Sequence, residues 1–151
     1  MGKIKLIIYS VILVAALYLQ VDSRYIKEEG VTPELSSYWN KELKTIEDIC
    51  SKKPPLPSRI YVDFGDTDEA IGYCQRFVNG FKIVIDKAYW IKLDEVGKDQ
   101  LMLHEMMHCI YKMKHNTTDP ENFMYPEYVK ISKEVLLAQL AQSLKETDQC
   151  D

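Results

Sequence analysis

Apolar residues recur with helical spacing in three stretches of the chain. Residues 31–50 place leucine, isoleucine and aromatic side chains on one face with Pro33 in the first turn, and the KKPPLP segment at residues 52–57 ends the stretch. Residues 98–113 contain no glycine or proline and are mostly good helix formers, and residues 133–145 again repeat apolar positions on one face. The sequence therefore predicts an N-terminal, a central and a C-terminal helix.

Between the first two predicted helices, shorter apolar runs indicate β-strands. Residues 59–64 (RIYVDF) alternate between apolar and polar side chains, as in a strand with one buried face. Residues 71–77 and 81–86 flank Val78, Asn79 and Gly80, and an Asn-Gly step between two such runs is typical of a hairpin. We therefore expect an α+β fold, with a small antiparallel or mixed sheet and the three helices.

The first residues have the pattern of an export signal. Two lysines precede Leu6–Leu19, which contains no charged residue, and Asp22 and Arg24 follow soon after it. This stretch of fourteen uncharged residues is shorter than the roughly 20 residues of a membrane-spanning helix. We expect residues 1–23 to be a signal peptide or an uncleaved signal anchor. Residues 24–151 would then be a single secreted, periplasmic or otherwise extracellular domain, attached to a membrane only if the N-terminal segment is retained.

Composition narrows the classes of partner. The chain has 151 residues, of which 46% are hydrophobic and 28% charged, enough for one globular domain with a core. Its net charge is −4, so it has no surplus of lysine and arginine to neutralise phosphates. We expect a monomer that binds no nucleic acid.

The four cysteines, Cys50, Cys74, Cys109 and Cys150, all follow the export signal. An even number of cysteines in an exported chain indicates two disulfides, for which three pairings are possible. We favour Cys74–Cys109 and Cys50–Cys150, because each would join elements that are expected to pack together.

The central predicted helix contains a His-Glu-x-x-His motif, formed by His104, Glu105 and His108. Residues four apart lie one above the other on a helix, so both imidazoles can share one metal ion, and the adjacent Glu105 can accept a proton from a metal-bound water. The third and last histidine of the chain, His115, follows seven residues after His108. Three histidines with an open position for water are the composition of a catalytic zinc site.

These residues, together with DPENFMYPEY at residues 119–128, resemble the metzincin zinc peptidases and, within them, the matrixins. The resemblance implies that His104, His108 and His115 bind zinc and that Glu105 is the general base. It implies that Met124 is the methionine of a turn beneath the metal, and that Pro126 and Tyr128 form the wall of the pocket for the substrate side chain just after the cut. It also implies that the strand at residues 81–86 is the sheet edge along which substrate lies.

The chain departs from the matrixin pattern after His108. Tyr111 occupies the position of a glycine in that pattern, and His115 comes one residue late. The chain reversal then needs one residue among residues 111–114 to adopt a left-handed conformation. The alternative third ligand is a carboxylate from the next helix, as in gluzincins, and Glu134 has the best spacing for that role.

The expected function is that of an exported zinc-dependent endopeptidase, which hydrolyses peptide bonds through a zinc-bound water with Glu105 as general base. Its partner would be a peptide or protein substrate. The alternative is a non-catalytic exported binding module in which zinc is only structural. Glu105 distinguishes the two, because a structural zinc site has no need of a base beside its ligands.

Overall fold

The computed structural model describes residues 30–146 and residue 150. The predicted signal segment, residues 1–23, lies outside the described residues. The elements in chain order are β1 (Gly30–Val31), α1 (Pro33–Cys50), β2 (Arg59–Phe64), β3 (Gly72–Phe77), β4 (Gly80–Ile85), α2 (Lys87–Trp90), α3 (Glu95–Ile110) and α4 (Lys133–Lys145). This is the expected α+β fold, a small zincin-like arrangement in which α3 is the central predicted helix.

The four strands form one mixed sheet in the order β1-β2-β4-β3. Strand β2 pairs in parallel with β1 and with β4, whereas β3 pairs antiparallel with β4. The prediction that residues 81–86 form the sheet edge is therefore wrong: β4 lies inside the sheet, and β3 is the edge strand beside it. Strand β4 has buried side chains on both faces, which is typical of an inner strand, while β3 carries polar residues that an edge strand tolerates.

The predicted hairpin is confirmed between β3 and β4. Phe77 pairs with Gly80, and Asn79 adopts a positive φ of 65°, which asparagine tolerates better than most residues. Gly80 is required for a different reason: a Cβ at this position would lie 2.4 Å from the carbonyl oxygen of Arg59. The close approach of β2 thus fixes glycine at the start of β4.

The main core lies between the sheet and the three longer helices. Leu35 and Ile46 of α1, Met106 of α3 and Leu140 of α4 are fully buried there, together with Ile83 of β4. The methionines of α3 are therefore core residues. This packing holds α3 against the sheet and so fixes the position of the His-Glu-x-x-His motif.

Helix α3 is shifted three residues towards the N-terminus relative to the prediction. It begins after Asp94, whose Oδ1 accepts a hydrogen bond of 2.9 Å from the backbone N–H of Gly97. It ends at Ile110, because Lys112 has a φ of 59° and turns the chain out of the helix. Local capping, which apolar spacing does not report, sets both ends.

Both favoured disulfides are confirmed. Cys50 at the end of α1 is bonded to Cys150, and Cys74 of β3 is bonded to Cys109 of α3. Two disulfides are typical of proteins from an oxidising compartment outside the cytosol. Within the described residues, every helix is too short or too polar to cross a membrane.

Candidate metal centre

The three histidines of the chain converge on one point. His104 and His108 lie one turn apart on α3, and His115 lies on the loop that follows the helix. The Nε2 atom of His104 is 3.0 Å from that of His108 and 3.2 Å from that of His115. Three nitrogen ligands around a tetrahedral zinc at about 2.0–2.1 Å would be about 3.3 Å apart, so these separations fit a shared metal ion.

Backbone carbonyls determine which ring nitrogens face this point. The Nδ1 atom of His104 is 2.8 Å from the carbonyl oxygen of Phe123, and that of His108 is 2.6 Å from the carbonyl oxygen of Met113. A carbonyl oxygen only accepts, so each Nδ1 carries the hydrogen and each neutral ring presents the lone pair of Nε2. Two lone pairs that face each other at 3.0 Å form no hydrogen bond. A cation between them removes the repulsion, and the donor set therefore fits a metal ion.

Burial keeps the two helical imidazoles neutral. It lowers the pKa of His104 to about 4, and the neighbouring histidines contribute in the same direction. Burial also lowers the pKa of His108 below its ordinary value. Both rings can therefore bind a metal ion at neutral pH without first losing a proton.

The turn after α3 brings His115 back to the other two histidines. Lys112 is the residue with the left-handed conformation predicted for residues 111–114, which confirms that expectation. The backbone N–H of Met113 then donates to the carbonyl oxygen of Met107 at 3.1 Å, which closes the reversal without glycine. The alternative ligand Glu134 is exposed at the start of α4 and is not part of the histidine cluster.

Glu105 is the buried acid beside the histidines. Its side chain is only 3% exposed, and its Oε2 has no hydrogen-bond partner among the described residues. Burial raises the pKa of this carboxyl to about 8, and a metal cation beside it would favour the charged form. A Cβ at Gly72 of β3 would lie 3.0 Å from the Oε1 of Glu105, so the edge strand approaches the carboxylate closely.

A cleft of about 730 Å³ opens over these groups, between β3 and the loop after His115. The residues predicted from the sequence that line it are His104, Glu105, His108, His115, Pro126 and Tyr128. The edge strand contributes Gly72 and Cys74, and the disulfide to Cys109 joins this strand to α3. A cleft bordered by the edge strand of a sheet can hold an extended chain.

Met124 lies in a tight turn and does not line the cleft. The backbone N–H of Tyr125 donates to the carbonyl oxygen of Asn122 at 2.9 Å, and Asn122 Oδ1 accepts from the N–H of Met124. The Met124 side chain is buried in the core. The same turn carries the Phe123 carbonyl that orients His104.

Sequence reasoning missed several groups of the site. Gly72 and Gln100 line the cleft, and the carbonyls of Met113 and Phe123 hold the imidazoles. Gln100 was within reach of sequence analysis, because it lies four residues before His104 and therefore one turn away on the same helix face. The backbone carbonyls have no sequence signal.

Comparison with known proteins identifies the family. No curated protein and no solved structure matches the chain. A family model described as "Putative phage metallopeptidase" matches residues 39–130, more than half of the chain and all of the elements that build the histidine cluster. The chain therefore belongs to this family of phage metallopeptidases.

Proposed function

We propose that the protein is an exported zinc-dependent endopeptidase whose zinc is held by His104, His108 and His115. One observation carries the proposal: three imidazole Nε2 atoms converge in an open cleft that Glu105 also lines, and the buried Oε2 of Glu105 has no hydrogen-bond partner among the described residues. Histidine nitrogens are preferred ligands of zinc, and three of them leave one position for the reactants. The two disulfides fit export to an oxidising compartment.

Glu105 is the general base of the proposed reaction. When bound, zinc polarises the scissile carbonyl and makes a nearby water more acidic. Glu105 takes a proton from the attacking water and delivers it to the leaving amine, so its carboxylate must stand free of other partners. Its unpaired Oε2 and its low exposure meet that requirement.

The edge strand β3 supplies the binding site for the substrate backbone. Among the described residues no other strand pairs with its outer side, because β3 is the last strand of the sheet. An extended peptide can add to such an edge through main-chain hydrogen bonds, preferably antiparallel. Pro126 and Tyr128 line the same cleft, and in the proposed complex they form the wall for the side chain just after the cut.

The test is the Glu105→Gln variant, measured for zinc content and for hydrolysis of a mixed peptide library. Gln has nearly the same volume as Glu but accepts no proton, so we expect zinc to stay bound while the rate falls by about a hundredfold or more. The control is Glu121→Gln, on the exposed loop that follows His115. It should cleave the library like the unchanged protein.

Four results would contradict the proposal. Purified protein without zinc, or a His108→Ala variant that keeps all of its zinc, would exclude the metal site. Zinc-loaded protein that cleaves no peptide would favour the alternative of a binding module with a structural zinc. Equal activity of the Glu105→Gln variant would exclude Glu105 as the general base.

A further inference from the structure

Gln100 is a buried amide in the wall of the cleft. It lies on α3 one turn before His104 and is only 4% exposed. Its Nε2 donates a hydrogen bond of 2.9 Å to the carbonyl oxygen of Val129, in the segment after the cleft wall. Gln100 thus connects α3 to that wall through one half of its amide group.

The other half of the amide has no hydrogen-bond partner in the part of the chain that the structure describes. A carbonyl oxygen can only accept, so the Gln100 nitrogen must face Val129 and the amide cannot be turned round. The Oε1 atom is buried and accepts no hydrogen bond from the described residues. Buried polar atoms without a partner are few in folded proteins, and at the wall of a cleft a ligand can supply the missing donor.

The direction of the proposed substrate places Gln100 on one side of the scissile bond. Gly72 lies beside Glu105, and Cys74 is bonded to Cys109, so β3 and α3 advance in the same direction. A peptide that adds antiparallel to β3 then runs opposite to α3. Its residues after the cut lie towards the N-terminal half of α3, where Gln100 is located.

We propose that Gln100 selects substrates whose side chain directly after the scissile bond is long and ends in an N–H donor, such as glutamine or lysine. This inference rests on the proposed peptidase function. Leu101, Pro126 and Tyr128 also line the cleft and provide apolar and aromatic surface for the methylene groups of such a side chain. The donor at its end then pairs with Oε1 of Gln100, and an apolar side chain leaves that oxygen unpaired.

The experiment compares three peptides that differ only in the residue after the scissile bond: glutamine, methionine or glutamate. Glutamine and methionine have similar length and volume, but only glutamine donates a hydrogen bond. Glutamate has no donor and would place a negative charge beside Oε1 of Gln100, which is itself an acceptor. We expect kcat/KM to be about tenfold to a hundredfold higher for glutamine than for methionine, with glutamate the poorest substrate. Equal rates for glutamine and methionine would overturn the proposal.

The Gln100→Met variant tests whether Gln100 is the cause. If Oε1 of Gln100 accepts a hydrogen bond from the substrate side chain, the glutamine-to-methionine ratio of kcat/KM should fall to about one or below in this variant. If Gln100 only holds the wall through Val129, both rates should fall by the same factor and the ratio should persist, which would refute the specificity role.

Gln139→Met is the matched control. The Gln139 amide also holds the loop after His115, since Nε2 donates to the carbonyl oxygen of Glu121 and Oε1 accepts from the N–H of Phe123. Both halves of this amide are paired and Gln139 does not line the cleft, so the substitution should leave the ratio unchanged. If the specificity proposal fails, the peptides are cleaved but glutamine is not preferred to methionine, or the preference persists in Gln100→Met. If the peptidase function fails, none of the three peptides is cleaved.

Discussion

Glu42 is a buried acid away from the metal centre, and its substitution by glutamine tests the electrostatics of the α1–α3 contact. The side chain is 2% exposed, and its Oε1 has no hydrogen-bond partner within residues 30–146. Asp99 of α3, 4% exposed, lies close to it and forms an ion pair with Lys41, whose Nζ is 3.8 Å from Glu42 Oε1. Burial, and then the negative charge of Asp99, raises the pKa of Glu42 to about 8.

The raised pKa of Glu42 determines the sign and size of its contribution to the pH dependence of the free energy of unfolding. The folded protein binds the proton of Glu42 more tightly than the unfolded chain, whose glutamate has an ordinary pKa of 4.5. The stabilisation is therefore fully present below pH 4.5 and is lost as pH rises through 8. One proton corresponds to about 1.4 kcal/mol per pH unit, so the free energy of unfolding changes by about 5 kcal/mol at most across this interval.

The assay is urea unfolding of the oxidised protein at pH 5, 6, 7 and 8, followed by the fluorescence of Trp39 and Trp90. Glu42→Gln keeps the side-chain volume and removes the titration. We expect the variant to gain stability relative to the unchanged protein as pH rises. Comparing the two proteins at each pH cancels the pH dependence of metal binding, which they share.

Glu47→Gln is the control on the same helix. Glu47 is only partly buried, and we expect this variant to follow the pH dependence of the unchanged protein. A stability difference between Glu42→Gln and the unchanged protein that stays constant from pH 5 to pH 8 would refute the reasoning. A Glu42→Gln variant that is less stable than the unchanged protein at pH 8 would also refute it.

Three further predictions concern the cleft. His115→Ala should weaken zinc binding by orders of magnitude in a competition titration, whereas Glu134→Ala should retain zinc and lose only local helix stability; the reverse result would indicate a gluzincin-like site. Gly72→Ala should lower peptide hydrolysis about tenfold or more at unchanged zinc content, because the new Cβ crowds Glu105 Oε1, and unchanged activity would show that the strand can move. Replacing Cys74 and Cys109 together by serine should lower the melting temperature and raise KM, because the edge strand loses its bond to α3; an unchanged KM would separate this disulfide from substrate binding.

The sequence predicted the elements well where side-chain spacing alone determines them. The strand at residues 59–64 and the helix at residues 133–145 have the predicted bounds. The short strand β1 and the short helix α2 were not predicted, because two and four residues are too few to show a period. Their formation depends on pairing with β2 and on the Asp86 cap, which are tertiary and local contacts.

Strand order was the main error, and its cause is physical. The sequence shows which residues alternate, but the position of a strand within a sheet depends on the path of the connections between strands. The apolar residues of β4 on both faces were the available signal that this strand is an inner one. At the metal centre, helical spacing predicted the grouping of His104, Glu105 and His108. The return of His115 depended on the backbone conformation of Lys112, which the departure from the matrixin pattern anticipated.

The disulfide pairing has a further consequence for a protein proposed to cut peptide bonds. The bond from Cys50 to Cys150 joins residues 100 positions apart in the sequence, and the bond from Cys74 to Cys109 lies within that loop. A single cleavage anywhere between Cys50 and Cys150 would leave both fragments covalently joined. A second copy of the protein could therefore cleave an exposed loop of this chain, and α1, the edge strand β3 and helix α3 would still be covalently joined. The two disulfides thus prevent the loss of fragments after such a cleavage.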